Sequence, residues 1–329
     1  MLYLTTAGNG EVYTAPYTLN HDYSPDGGFF VPYSIPSIGE SELSDWKNKN
    51  FNQVIANVLS IFFPAHLTSW DVDFCIGRNA IRLVGISRLQ TVAELWHNPA
   101  SDFSYAVKNL YTKVSGNEQR EPTVWFTVAV RIAFLFGIYT ELCRTGALNA
   151  EAPFEVSADT GDFATILAAV YGKKMGLPVG KILCVSAENG AVWDLIHRGV
   201  YTPALGVAAE RPYLESVLLS VLGSEEVLRF RDCCGRGRSY SVDKDRVPLL
   251  GELLFCVVTG NDRAAPTINS VYRGSNYFIA PTTALCCCGV QDYRAKTGTS
   301  HLTLLLSREN PRRYAQIISK ATGVPVEKL

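Results

Sequence analysis

The stretch from Phe154 to Val185 constrains the fold more than any other part of the chain. Phe154 to Val156 is apolar enough for the end of a strand, and Thr160 and Gly161 follow with a hydroxyl and a backbone open to close approach. Phe163, Ile166, Leu167, Val170 and Lys174 then recur at spacings of three and four, which predicts a helix over Phe163 to Met175. Lys173 and Lys174 fall in its last turn, where cations complement the helix dipole. Gly176 suits a left-handed cap, and Pro178 blocks continuation. Lys181 to Val185 (KILCV) reads as a buried strand. The unit is strand, loop, helix, strand, and its loop faces a helix N-terminus, the place where phosphates bind.

That α/β pattern extends over much of the chain. Phe154–Val156, Lys181–Val185, Leu253–Val258 and Leu302–Leu306 are candidate strands, alternating with helices at Phe163–Met175, Tyr213–Leu222 and Pro311–Ala321. Asn310 is placed to cap the last of these and Pro311 to open it. Val124 to Leu142 predicts a long helix, apolar nearly all round, of the kind that packs on a sheet. Before Gly85 the texture differs. Asp26, Gly27 and Gly28 mark a turn and Phe29 to Val31 a short strand. Val54, Ile55, Val58, Leu59 and Phe62 lie on one face of a helix that Pro64 ends. Two domains are expected, 1–85 and 86–329, from a chain of 329 residues. Segment 229–246 (RFRDCCGRGRSYSVDKDR) reads as an exposed insertion.

Composition removes several classes of function. Lys plus Arg (30) nearly balances Asp plus Glu (31), so no bulk charge draws the chain to nucleic acid or an anionic membrane. The N-terminal MLYLTTAGNGEVYTA lacks the regions of a signal peptide. The most apolar run, Val124 to Tyr139, reads as too short to span a bilayer and is interrupted by Arg131, so a cytoplasmic protein is expected. The nine cysteines and five histidines show no metal spacing. Cys286, Cys287 and Cys288 read as core packing. Cys233 and Cys234, among Arg229, Arg231, Arg236 and Arg238, are the two thiols with a reactive reading beside a surface one. His97 is the histidine placed to line a cleft.

Several separated motifs carry a resemblance. Thr160-Gly161-Asp162-Phe163-Ala164-Thr165 is similar to the phosphate loop T-G-N-F-G-N of threonine synthase, and the similarity continues through LAAVYGKKMGLPVGKILCVSAEN to His197–Tyr201. Asp26 to Pro32 (DGGFFVP) resembles that family's D-G-G-L-[FY]-V-P, and Glu94 to Pro99 (ELWHNP) the lead-in to its E-L-[FW]-H-G-P-T-x-A-F-K-D. Pro281 to Ala284 (PTTA) resembles D-P-H-T-A.

The resemblance implies an α/β, tryptophan-synthase-β-like (fold type II) large domain, its central sheet flanked by helices, plus a threonine-synthase-type N-terminal domain. It implies pyridoxal phosphate (PLP) as cofactor and a phosphorylated amino acid, O-phosphohomoserine, as substrate, with threonine and phosphate as products. The cofactor positions carried over are Thr160, Gly161, Asp162, Phe163, Ala164, Thr165, Ser307 and Arg308.

The family holds PLP on the lysine of A-F-K-D, and no lysine stands there. One alignment puts Ser104 at that position. In another, Asp102 to Leu110 matches a segment far downstream, so the chain jumps near 98–110 across the lysine and most of the small subdomain. Asp162 in place of asparagine sets a carboxylate against the cofactor's phosphate. At about 4 Å that repulsion is roughly 1 kcal/mol per unit charge in water and about 4 at an effective dielectric of 20. Ala164 adds a Cβ where the family has glycine, and Arg308 stands at the hydroxyl beside the pyridine nitrogen, with Ser307 next to it. Three readings stay open: a non-catalytic scaffold or binding module, an enzyme recruiting Lys108, and a decayed product. A homo-oligomer is left open, and on the third reading an apolar patch where the small subdomain would pack predicts aggregation or dimerisation.

Overall fold

Strand periodicity and helix caps account for most of the architecture. The structure is a computed structural model and describes the whole chain except residues 65, 151, 188–189 and 204–209. The Glu188–Asn189 end of the phosphate-loop resemblance lies outside the described residues.

An N-terminal antiparallel sheet is formed by β1 (Leu2–Thr5), β2 (Tyr13–Thr14) and β3 (Phe30–Pro32), in the order β2-β1-β3. The central sheet comprises β4 (Leu83–Ser87), β5 (Gln90–Glu94), β6 (Phe154–Asp159), β7 (Val179–Ser186), β10 (Leu254–Val258) and β11 (Leu302–Ser307). Between them β8 (Val200–Tyr201) and β9 (Tyr240–Ser241) make a two-stranded ribbon. The central order is β10-β7-β6-β11-β5-β4, parallel throughout except the edge strand β4.

Alternation along the strands divides the core in two. Ile182, Cys184, Leu304 and Leu306 face one layer with helices Val124–Arg144 and Phe163–Lys174. Leu183, Val185 and Leu305 face the other, with helices Ala264–Ser275 and Pro281–Thr297. Cys286, Cys287 and Cys288 are buried in that second layer, as core residues.

The N-terminal segment packs into the first of these layers. Helix Phe51–Phe62 lies against Val124–Arg144, and its entrance is fixed by a capping box between Asn50 and Gln53. Tyr3 donates its hydroxyl to the Phe62 carbonyl (3.0 Å), and Tyr111 donates to Leu19 (2.7 Å). Thr123 donates to the Thr18 carbonyl (2.9 Å).

One expectation is corrected and another refined. The apolar run is longer than its sequence reading: the helix continues to Arg144, long and apolar enough by length and composition to cross a membrane. In the fold, 78% of its most apolar window is buried inside the protein, so it serves as the core helix. Segment 229–246 is exposed over most of its length, as expected, but it is anchored to the fold rather than inserted freely. Its first part belongs to helix Ser224–Gly235, and Phe230 and Tyr240 are fully buried. Arg231 pairs with the buried Glu215 (2.6 Å) and donates to the Gly27 carbonyl (3.1 Å), tying the Asp26–Gly28 turn to the large domain. Burial pushes the Cys234 thiol up to about 11, so the nearby arginines do not activate it.

Candidate functional site

The loop after β6 turns through a single 3₁₀ turn, Thr160–Asp162, before helix Phe163–Lys174 begins. Gly161 is exposed, while Asp162, Phe163, Ala164 and Thr165 are buried. The six residues therefore form one compact loop at the carboxyl edge of the sheet, the position expected for a ligand in an open α/β sheet.

The loop's polar groups are engaged with one another. Arg131, from the middle of the long core helix, pairs with Asp162 (3.0 Å) and donates from Nε to the Thr165 hydroxyl (3.0 Å). Thr165 in turn donates to Asp162 (2.6 Å). Burial pushes the Asp162 carboxyl up, but Arg131, the Thr165 hydroxyl and Arg308 outweigh it and hold the group below the ordinary range. Asp159 sits opposite: burial raises its carboxyl, and Arg308, 4.0 Å away, offsets this only in part. A Cβ added to Gly161 would lie 2.7 Å from the Asp159 carboxylate and 3.7 Å from the Arg308 guanidinium. The space above the glycine is thus filled by the protein itself. Two carboxylates and two guanidinium groups balance to no net charge.

The other carried-over positions fall around this cluster or away from it. Ser307 is buried at the end of β11; it accepts from Thr283 (3.0 Å) in the PTTA segment and donates to the Glu309 carbonyl (3.4 Å). Arg308, the next residue, extends to the loop. Ser104 is exposed in the first turn of helix Phe103–Ser115, its amide capped by Asp102 (2.8 Å). Lys108 turns elsewhere: its amine donates to the Arg120 carbonyl and pairs with Glu121 (2.9 Å). The junction near 98–110 is well bonded. Asp102 pairs with Arg313 (2.6 Å), Asn98 donates to the Asp102 carbonyl (3.0 Å), and Phe103 lies under Arg131, 5.0 Å from guanidinium carbon to ring centroid. No cluster of three or more metal-ligating side chains occurs among the described residues.

Three participants were not picked out in the sequence: Arg131, Asp159 and Glu94. Arg131 had a signal, since an arginine inside an otherwise apolar helix requires a buried anion, and Asp162 was available. Glu94 lies at the end of β5 with no solvent exposure, beside His97. His97 does line a cavity, at the carboxyl ends of β5 and β11.

A parallel sheet with a phosphate-type loop after an inner strand, covered by helices on both faces, defines the class: the large domain of fold type II PLP enzymes. Solved structures agree. The yeast threonine synthase superposes with a TM-score of 0.83 at 17% identity, covering 99% of this chain and 91% of that one. A PLP-bound threonine synthase from Brucella melitensis superposes at 0.79 and 16%, covering 98% and 92%.

Residues 2–79 match the family model described as threonine synthase N terminus. Threonine synthase-like 2 of Xenopus laevis is 30% identical over 381 residues, covering 80% of this chain and 78% of the relative. The chain belongs to the threonine synthase family. Threonine synthase-like 1 of Pongo abelii is 26% identical over 175 residues; the match takes in 49% of this chain and spans only 23% of that relative's length.

Proposed function

We propose that this chain keeps the threonine synthase fold without the family's PLP chemistry and acts as a non-catalytic binding module. The observation that carries the reading is the self-satisfied loop. A phosphate ester brings about −1.5 to −2 charge and needs free amides and net positive charge. Here the Asp159 carboxylate crowds the space above Gly161, and Asp159 and Asp162 cancel Arg308 and Arg131. The residues of the loop do not fit the cofactor's phosphate.

Two further observations support it. Among the described residues no lysine amine is bonded to the loop, and Lys108 is engaged with Glu121. The stretch aligned with the Xenopus relative is 381 residues long, more than this whole chain of 329, so the relative carries segments that this chain lacks. A decayed product is disfavoured by the junction itself, where Asp102, Arg313, Asn98 and Phe103 are capped, paired and buried.

Cofactor trapping tests the reading. Purified protein is incubated with PLP, reduced with borohydride and analysed by intact and peptide mass spectrometry. The expected result is no adduct, or a scatter over surface lysines. An adduct confined to one lysine and blocked by O-phosphohomoserine would overturn the proposal and restore a PLP enzyme.

A further inference from the structure

We propose that the cavity at the carboxyl ends of β5 and β11 binds a small organic anion with a flat apolar body. This deepens the reading of the chain as a binding module by naming what it binds. The cavity has a volume of about 670 Å³, within the ~300–1,000 Å³ of small-molecule sites. It shares no lining residue with the Thr160–Thr165 loop.

Charge selects an anion. Arg78, Arg82 and Arg312 line the cavity, and Glu94 is the one acidic side chain among its lining residues. That carboxylate is fully buried and already opposed: Arg82 approaches to 3.5 Å, His97 Nδ1 to 3.1 Å, and Tyr277 donates its hydroxyl at 2.6 Å. Arg78 leans on Asp73 at 3.4 Å. Arg312 is exposed and has no ion-pair partner among the described residues. Low-dielectric walls around uncancelled positive charge concentrate anions.

Hydrogen bonding points the same way. The Trp96 indole Nε1–H is buried without an acceptor, an omission that native interiors rarely tolerate. The uncommitted groups are therefore donors, Trp96 and Arg312, and what they lack is an oxygen acceptor. Glu94 Oε2 is the exception: it has no aligned hydrogen-bond donor despite the nearness of His97. A cationic amine would compete for that oxygen, and the test includes one. Trp96, Tyr277 and Phe278 supply the flat walls, with Ile76 and Ile318 beside them. A planar carboxylate matches the combination, its ring against the aromatic walls and its oxygens on Arg312 and Trp96.

Isothermal titration of the full chain with benzoate, benzyl alcohol, benzylamine and inorganic phosphate tests this, without PLP present. Benzoate is expected to bind saturably with one site, at least tenfold tighter than the isosteric alcohol, and to weaken as salt rises. Arg312→Gln, on an exposed side chain, should cost at least tenfold in benzoate affinity with an unchanged melting temperature. Trp96→Phe keeps a ring and should cost several-fold. Equal affinity for the alcohol, preference for the amine, phosphate binding as tightly as benzoate, no saturable binding, or an Arg312→Gln protein with undiminished affinity would each overturn the proposal. A site-specific PLP adduct would sink the earlier reading while leaving this result intact.

Discussion

Arg131 is the residue on which the loop's geometry turns. It leaves an apolar helix to meet Asp162 and Thr165, with both side chains of the ion pair nearly buried (11% and 7% exposed). Removing one partner of such a pair leaves the other charge uncompensated, which costs about 3–5 kcal/mol. Asp162→Asn is expected at the lower end of that range, because Arg131 keeps its bonds to Thr165 and the Thr127 carbonyl. Urea denaturation of the two proteins measures it. Replacing both partners by apolar residues of similar volume, Arg131→Met with Asp162→Leu, should cost less than the single change. The pH dependence has a defined sign. Asp162, depressed in the fold, stabilises above the ordinary carboxylate range and loses that contribution as pH falls through its lowered value. Asp159, raised in the fold, does the reverse, so Asp162→Asn should flatten the acid limb of stability while Asp159→Asn steepens it.

Among the elements, helix Ser69–Ile76 shows how a cap couples to pH. Thr68 and Asp71 form a capping box, and Lys113 pairs with Asp71 at 2.7 Å. The Lys113 ammonium and the Thr68 hydroxyl and amide hold the Asp71 carboxyl down at about 2. Its stabilising contribution is present above the ordinary value near 3.8 and is lost as pH falls toward 2. Thr68→Ala should cost about 1 kcal/mol at neutral pH. The stability gap between the native protein and Asp71→Asn should narrow between pH 5 and pH 2, read from thermal melts. Helix Pro281–Thr297 carries a second prediction. A Cβ on Gly289 would fall 2.5 Å from Val185 Cγ2 in β7, so Gly289→Ala overpacks the second layer and should cost about 1–3 kcal/mol. In a double mutant with Val185→Ala the losses should be less than additive, since the two sites share one space.

At the scale of the whole molecule, the N-terminal segment is not separable. Tyr3, Phe51, Val54 and Phe62 share one continuous core with Trp125, Phe126, Phe134 and Phe136 of the long helix. Deleting residues 1–79 would strip one side of that helix and expose a large apolar face. The shortened chain is expected to aggregate, whereas the full chain should unfold in a single transition seen alike by circular dichroism and tryptophan fluorescence. Size-exclusion chromatography and chemical denaturation check both.

The sequence was most legible where one period or one cap decides locally. Strands at Phe154, Lys181 and Leu302, the helix from Phe163, the Asn310 cap and the long helix from Val124 all follow from apolar spacing and terminus chemistry. Helix Pro281–Thr297 was not legible, because Cys, Gly and Thr leave it without an apolar stripe and residues 283–290 are buried on every side. Segment 229–246 was legible in part: most of its charges are solvated, but Arg231 reaches the buried Glu215 on another helix and Arg229 the buried Glu226 one turn earlier on its own.

By itself, then, the sequence determined the α/β alternation and the position of the loop that follows β6. These depend on residue type and near-neighbour spacing, which the chain carries explicitly. Only the tertiary structure decided that Arg131 and Arg308 converge on Asp162 and Asp159 to close that loop. It alone brought Glu94, Trp96, Tyr277 and Arg312 around one cavity. Such pairings join residues from separate elements, and their energy arises when folding removes water from charges that no local pattern places together.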